Sequence, residues 1–246
     1  MAKPAFGRKL DRISRRVDKR LKAYLEDPEN EDRVHDVRVS IRKLEVMLSL
    51  LPKKARKRGR SSMAKYKKFL SANSIVRDYD IIAKRLSLLN VRDSDLQNEK
   101  KAELAKVISL GKSLERVPAM NVDEPDEDRI DKTVSRLVGK IREMMPLVMS
   151  DESEVEELHM MRRSFRKLRY ILDVLPPNGR KRCLTKLEKA VGKAVELEEL
   201  QDLLGSIHDC DITMAYLQRK RMAQILEKES ANRKKLYQQF LLYMKN

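Results

Sequence analysis

The sequence of 246 residues has no tryptophan, only seven glycines and eight prolines, two cysteines and three histidines. Aromatic residues make up 4% of it, so the stacking platforms on which single-stranded nucleic acids are held are poor. Few glycines and prolines argue against an architecture of many short strands and turns. Cys183 and Cys210 cannot form a disulfide framework, which favours a reducing cytoplasm. No apolar run approaches the ~20 residues needed to span a bilayer, and the opening MAKPAFGRKL has no apolar signal core. Neither secretion nor membrane insertion is expected. A glycine-rich phosphate loop, a Ser-His-Asp order and a carboxylate-rich metal cluster are all missing. No catalytic residue, metal or cofactor is therefore expected.

What the chain has is charge and helix formers. Lys and Arg number 55 against 38 Asp and Glu, a formal net charge of +17. Such a surface attracts polyanions, whether nucleic acid, acidic headgroups or phosphate chains. Leu, Lys, Arg, Glu, Met and Ala dominate, and these favour helix; the fold class is read as all-α. Residues 8–25 show helical spacing in Leu10, Ile13, Val17 and Leu21. Asp27-Pro28 suits the start of a second helix, which should end at Pro52. KKARKRGRSS then reads as a basic connector, followed by helices over 62–75, 78–89 and 93–117. The polar, acidic stretch 121–128 reads as a linker joining residues 1–120 to residues 129–246. Beyond it, helices are expected over 129–149, from a Ser153/Glu156 capping box to Leu175, and over 180–206, 209–228 and 230–245.

The two halves repeat one another. VHDVRVSIRKL (34–44) matches LHMMRRSFRKL (158–168), and a shift of 124 leaves nine of nineteen positions identical over 34–52. His35, Arg38, Arg42 and Lys43 thus coincide with His159, Arg162, Arg166 and Lys167. Further on the shift is 131, pairing VRDYDI (76–81) with IHDCDI (207–212). The seven extra residues equal about two helical turns, so a longer helix is expected in the second copy. A doubled unit suggests a pseudo-symmetric bundle with a site between the halves.

Helical geometry separates two faces in each copy. Val34, Val37, Ile41, Leu44, Leu48 and Leu51 form one apolar seam, and Leu158, Met161, Phe165, Leu168, Leu172 and Leu175 form its twin. The His35/Arg38/Arg42 row lies roughly 115° round from the seam. His159, Arg162, Arg166 and Arg169 do likewise, flanked by Arg163 and Lys167. Arginines at i and i+4 repel by ~0.2–0.5 kcal/mol per pair, a cost that carboxylates or an anionic ligand would relieve. The planar guanidinium fork suits phosphate.

These segments resemble the signature of the CHAD family, the conserved histidine α-helical domain, and VRDYDI and IHDCDI are similar to its second, Arg-Asp-x-Asp element. The resemblance covers nearly the whole chain. It implies two four-helix-type bundles related by a pseudo-twofold, around a basic central groove or pore that binds inorganic polyphosphate without catalysis. Carried over position by position, it implies a binding set of His35, Arg38, Arg42 and Lys43, with His159, Arg162, Arg163, Arg166, Lys167 and Arg169. Enzymes of polyphosphate metabolism and polyphosphate granules are the partners and setting it implies, with nucleic acid as the less favoured polyanion. Three departures stand out. Glu45 faces the place of Arg169 and Val39 that of Arg163, so the first copy should be the weaker half. Ser74 replaces Gly205, so the turn expected before Arg77-Asp78 should differ. His208 replaces Arg77.

Plainer readings stand beside these. Each histidine could simply bond a neighbouring helix, although the shared register favours a ligand role for both. Asp78, Asp80, Asp209 and Asp211 are read as structural, either helix caps or arginine partners; Asp-x-Asp binding Mg²⁺ stays as the alternative. His208 with Cys210 hints at Zn²⁺, but no second pair has ligand spacing.

Overall fold

The computed structural model describes residues 4–91, 93–118, 122 and 124–245. Among them the chain is all-helical, with nine helices and no strand. They are α1 (Ala5–Glu26), α2 (Glu31–Leu50), α3 (Lys53–Leu88), α4 (Ser94–Lys112), α5 (Glu127–Ser150), α6 (Val155–Val174), α7 (Pro177–Val191), α8 (Leu197–Arg219) and α9 (Ala223–Lys245). The chain divides into two compact units, residues 1–77 with 94–133, and residues 78–93 with 134–246. The divisions fall inside α3 and inside α5, so compact units and sequence repeats are different partitions of the chain. The acidic stretch 121–128 lies in the first unit. Val122 is buried there and Glu124 Oε1 accepts the Phe6 backbone N–H at 2.7 Å; residues 121 and 123 lie outside the described residues.

The first unit is built on the α1–α2 hairpin, with α4 against α1. Leu10, Ile13, Val17, Leu21 and Tyr24 of α1 are all buried, as their spacing requires. The α2 seam from Val34 to Leu51 is buried at every position, and so are Val46, Met47 and Leu50 beside it. The Tyr24 and Phe69 rings meet edge to face at 5.5 Å, a favoured aromatic geometry. In the second unit α8 packs on α9 and on α6, and the twin seam from Leu158 to Leu175 is equally buried.

Helix ends depart from expectation in instructive ways. The α2 N-cap is Asn30, not Asp27-Pro28: its side chain accepts the Arg33 N–H. The Ser153/Glu156 capping box does not form. Glu154 holds the cap position without a side-chain bond, while the Asp151 carboxylate accepts the Ser153 N–H at 2.7 Å. The acidic residues Glu156 and Glu157 do occupy the first turn of α6, complementing its dipole.

The basic segment after Pro52 is helix rather than connector. Pro52 ends α2, and its carbonyl accepts the Arg56 N–H at 3.0 Å, opening α3 at once. Pro176 does the same for Arg180 at 2.9 Å. Proline blocks the helix before it but leaves its own carbonyl available to the next. Since 53–88 contains one glycine and no proline, α3 runs unbroken for 36 residues. There is no turn before Arg77-Asp78, and the helices expected over 62–75 and 78–89 are one. The second copy is interrupted instead of lengthened. Gly192 adopts φ 84° as a left-handed C-cap, donating to the Glu188 carbonyl at 2.8 Å, and α8 begins at Leu197. The helices expected over 180–206 and 209–228 therefore break elsewhere, and IHDCDI lies inside α8.

Phe165 is fully buried in the α6 seam, whereas Leu242 on α9 is 60% exposed. Phe165→Ala should cost about 3–5 kcal/mol, and Leu242→Ala no more than about 0.5 kcal/mol. Denaturant unfolding followed by circular dichroism measures both.

Candidate functional site

In the first unit, α2 carries His35, Arg38, Arg42 and Lys43. His35 is exposed, Arg42 and Lys43 are half-buried, and Arg38 is buried at 4% exposure. Arg38 turns inward: Nη1 donates to Asn73 Oδ1 at 2.8 Å and Nη2 to the Ser74 hydroxyl at 3.1 Å. Asn73 is itself fully buried and donates towards the Tyr24 hydroxyl. A buried guanidinium is tolerable only with its donors met, so Arg38 ties α2 to α3 as a core element. Glu45, two residues beyond Lys43, pairs with Lys67 at 3.1 Å. That negative group stands where the second copy has Arg169.

In the second unit the corresponding row on α6 holds His159, Arg162, Arg166, Lys167 and Arg169, all half-buried, with Arg163 exposed. The two copies share local detail. Ser40 and Ser164 each bond the carbonyl four residues back, at 2.8 and 3.0 Å. A methyl group placed on Gly205 would lie 3.9 Å from Arg162 Nη2, in the place where Ser74 meets Arg38. The residue before it is Leu204 where the first copy has Asn73. That amide is therefore not offered to Arg162.

His159 bonds a neighbouring helix, as the plainer reading foresaw. Its Nε2 lies 2.8 Å from Asp211 Oδ2 and 2.9 Å from His208 Nδ1, both on α8. The two imidazole rings are perpendicular, with centroids 4.3 Å apart. The other Asp211 oxygen accepts from Nε of Arg233 on α9, a residue 7% exposed. Asp211 is thus an arginine partner in mid-helix. None of Asp78, Asp80, Asp209 and Asp211 is a helix cap, because all four lie inside α3 or α8.

Electrostatics fix the charge states. Burial pushes the Asp211 carboxyl up, but hydrogen bonds from His159 and Arg233, with the Arg233 charge, outweigh it and hold the group below the usual range. His208 is driven down to about 3, chiefly by burial, then by Arg162, His159 and Arg166, against the pull of Asp211. It is a neutral imidazole near pH 7. A second ion pair lies close by: half-buried Arg85 places Nη1 3.1 Å from Oε1 of buried Glu229. Burial and Glu229 together raise the Cys210 thiol to about 12, so it is not a reactive thiolate. Lys181, Arg182, Lys186 and Lys189 of α7 line an open hollow on the same unit.

A family model for the CHAD domain matches residues 8–218. The chain belongs to the CHAD domain family. A search of curated proteins gave no match to this chain. The match spans both copies of the motif, from the α1 hairpin to the end of α8. No helix among the described residues is long and apolar enough to cross a membrane.

Sequence reasoning missed Arg233, Glu229 and Arg85. A signal existed on α9. Its buried positions are Glu229, Arg233, Tyr237, Phe240 and Met244, one helical face that is charged at one end. Charges on an apolar stripe call for buried partners.

Asp211 and Arg233 form a buried pair. Asp211→Ala leaves the guanidinium uncompensated and should cost about 3–5 kcal/mol. Adding Arg233→Leu should recover most of that loss, because no buried charge is then stranded. Urea unfolding of the two single variants and the double variant reads the coupling.

Proposed function

We propose that this CHAD domain binds inorganic polyphosphate without catalysing its turnover, through the cationic rows of α2 and α6. The observation that carries the reading is the α6 row. Arg162, Arg166, Lys167 and Arg169 stand half-exposed on a helix whose apolar seam is locked in the core. Donors held on a rigid helix lose little freedom when a ligand arrives. Guanidinium groups one turn apart repel, and a phosphate chain relieves that repulsion while accepting paired hydrogen bonds. The basic hollow on α7 continues the same chemistry on the second unit.

The first copy is the weaker contributor. Arg38 spends its fork on Asn73 and Ser74, and Glu45 adds negative charge beside Lys67. Its offering to a ligand centres on Arg42 and Lys43. In the second copy, His159 is engaged with Asp211 and braces the row from below. The +17 charge would also attract nucleic acid, so that polyanion is the comparison that tests specificity. A cytoplasmic setting near polyphosphate stores, with enzymes that make or degrade the polymer as partners, fits this reading.

The test is thermal melting at near-physiological salt with long-chain polyphosphate, double-stranded DNA and single-stranded RNA, matched in phosphate. Polyphosphate should raise the melting temperature most, since a ligand of the folded state stabilises it. Arg162→Ala with Arg166→Ala should weaken polyphosphate binding about tenfold or more, the scale of one charged hydrogen bond. Lys53→Ala with Lys54→Ala, in the exposed first turn of α3, should change it far less. Equal shifts with all three polymers, or equal losses in both double variants, would reduce the row to a general cationic surface.

A further inference from the structure

Three ligand atoms converge in the second unit: His159 Nε2, His208 Nδ1 and Asp211 Oδ2. All lie within 4.8 Å of one another. Protons alone serve this arrangement poorly. A single ring nitrogen, His159 Nε2, makes both close contacts, 2.8 Å to the carboxylate and 2.9 Å to the second imidazole. In a neutral ring that atom carries either one hydrogen or one lone pair. With a hydrogen it donates to Asp211, and His208 Nδ1 must then share the same proton. With a lone pair it accepts from His208, and it then faces the lone pairs of an ionised Asp211 oxygen. Either way one of the two contacts lacks a proton of its own.

A cation among the three atoms meets all of them. Ligand atoms bound at ~2.1 Å in neighbouring positions of a six-coordinate ion stand about 3 Å apart. The observed 2.8 and 2.9 Å are close to that spacing. Asp211 is also supported as metal ligands usually are. Its outer oxygen accepts from Arg233, which orients the inner oxygen towards the imidazoles.

We infer that His159, His208 and Asp211 form a site for a divalent first-row transition ion such as Ni²⁺, Co²⁺ or Zn²⁺, with its remaining coordination positions open to water or an anionic oxygen. The charged groups facing it limit which ions fit. Arg162 and Arg166 of α6 and Arg233 of α9 oppose a cation, and Asp211 is the carboxylate among the three ligands. Affinity therefore comes from imidazole donation, which excludes the oxygen-seeking Mg²⁺ and Ca²⁺. The site belongs to one copy alone. In the first copy Arg77 stands where His208 is, and His35 is exposed. The inference does not depend on polyphosphate binding.

The test uses the full chain, stripped with a chelator and free of phosphate. Ni²⁺, Co²⁺, Zn²⁺ or Mg²⁺ is added alone and followed by calorimetry and by the visible absorption of bound Co²⁺. One transition ion per chain is expected, with no response to Mg²⁺. His208→Gln, which keeps size and neutrality, should weaken binding by well over a hundredfold, beyond the ~10–100-fold scale of an outer-shell loss; His35→Ala should leave it unchanged. Should His208→Gln fail to fold, the unmodified chain still decides the matter. On adding Zn²⁺, the imidazole nitrogen resonances of His159 and His208 should move while those of His35 stay. No binding, binding unaffected by His208→Gln, or shifts confined to His35 would overturn the site.

Discussion

A buried guanidinium needs an acceptor facing it, and that requirement recurs in both units. In the first, Arg38 leaves the surface because Asn73 and Ser74 receive it. In the second, buried Arg233 is received by Asp211, and half-buried Arg85 forms an ion pair with buried Glu229. Each of these bonds joins two helices whose apolar seams alone would leave rotation and sliding weakly specified. Burial of Leu, Ile and Phe drives the helices together. The arginine contacts set their register, because an arginine displaced by one residue would strand a charge at a cost of several kcal/mol.

The same constraint explains how the two copies diverged while keeping one register. Seam, back-bonded serine and helix-opening proline are shared, and each copy places its row on the same flank of its helix. Beneath the row the solutions differ. Asn73 and Ser74 draw Arg38 inward, whereas Leu204 and Gly205 offer no such acceptors to Arg162. His208, standing where the first copy has Arg77, meets His159 and leaves it facing Asp211. One copy has spent its arginine on the core, and the other has built a polar cluster below a half-exposed row.

How much of this was legible follows from the range of the forces involved. The seams were readable from periodicity, because every position of 34–51 and 158–175 placed inside is inside. The repeat was readable because identity at matched spacing needs no structure. Helix ends were less so. KKARKRGRSS looked like a loop from its charge, yet nothing in it breaks a helix, and Pro52 starts one. The seven extra residues of the second copy looked like added turns, but Gly192 stops α7 and the chain restarts at Leu197. The ion pairs were the least legible. Arg233 and Asp211 are 22 residues apart and Arg85 and Glu229 much further, so only the packed helices show which charges meet. Spacing along the chain set His208 beside Cys210 as a weak Zn²⁺ hint and gave no sign of a partner from another helix. The helical turn carries His208 and Asp211, three residues apart, to one side, where His159 completes the group.

Position relative to the seam decides how far each charged side chain is exposed. A row about 115° round from a buried face sits at the boundary between core and solvent. There the stems of Arg162, Arg166 and Lys167 pack while their charged ends stay within reach of water. Further round, the charges would be fully solvated and screened; closer in, they would need internal acceptors, as Arg38 does. At the boundary, mutual repulsion is only partly screened, and every added anionic group relieves it. The cost of assembling like charges is met on folding, largely by the seam. On the proposed reading, a phosphate chain would meet donors already fixed, with little ordering left to do.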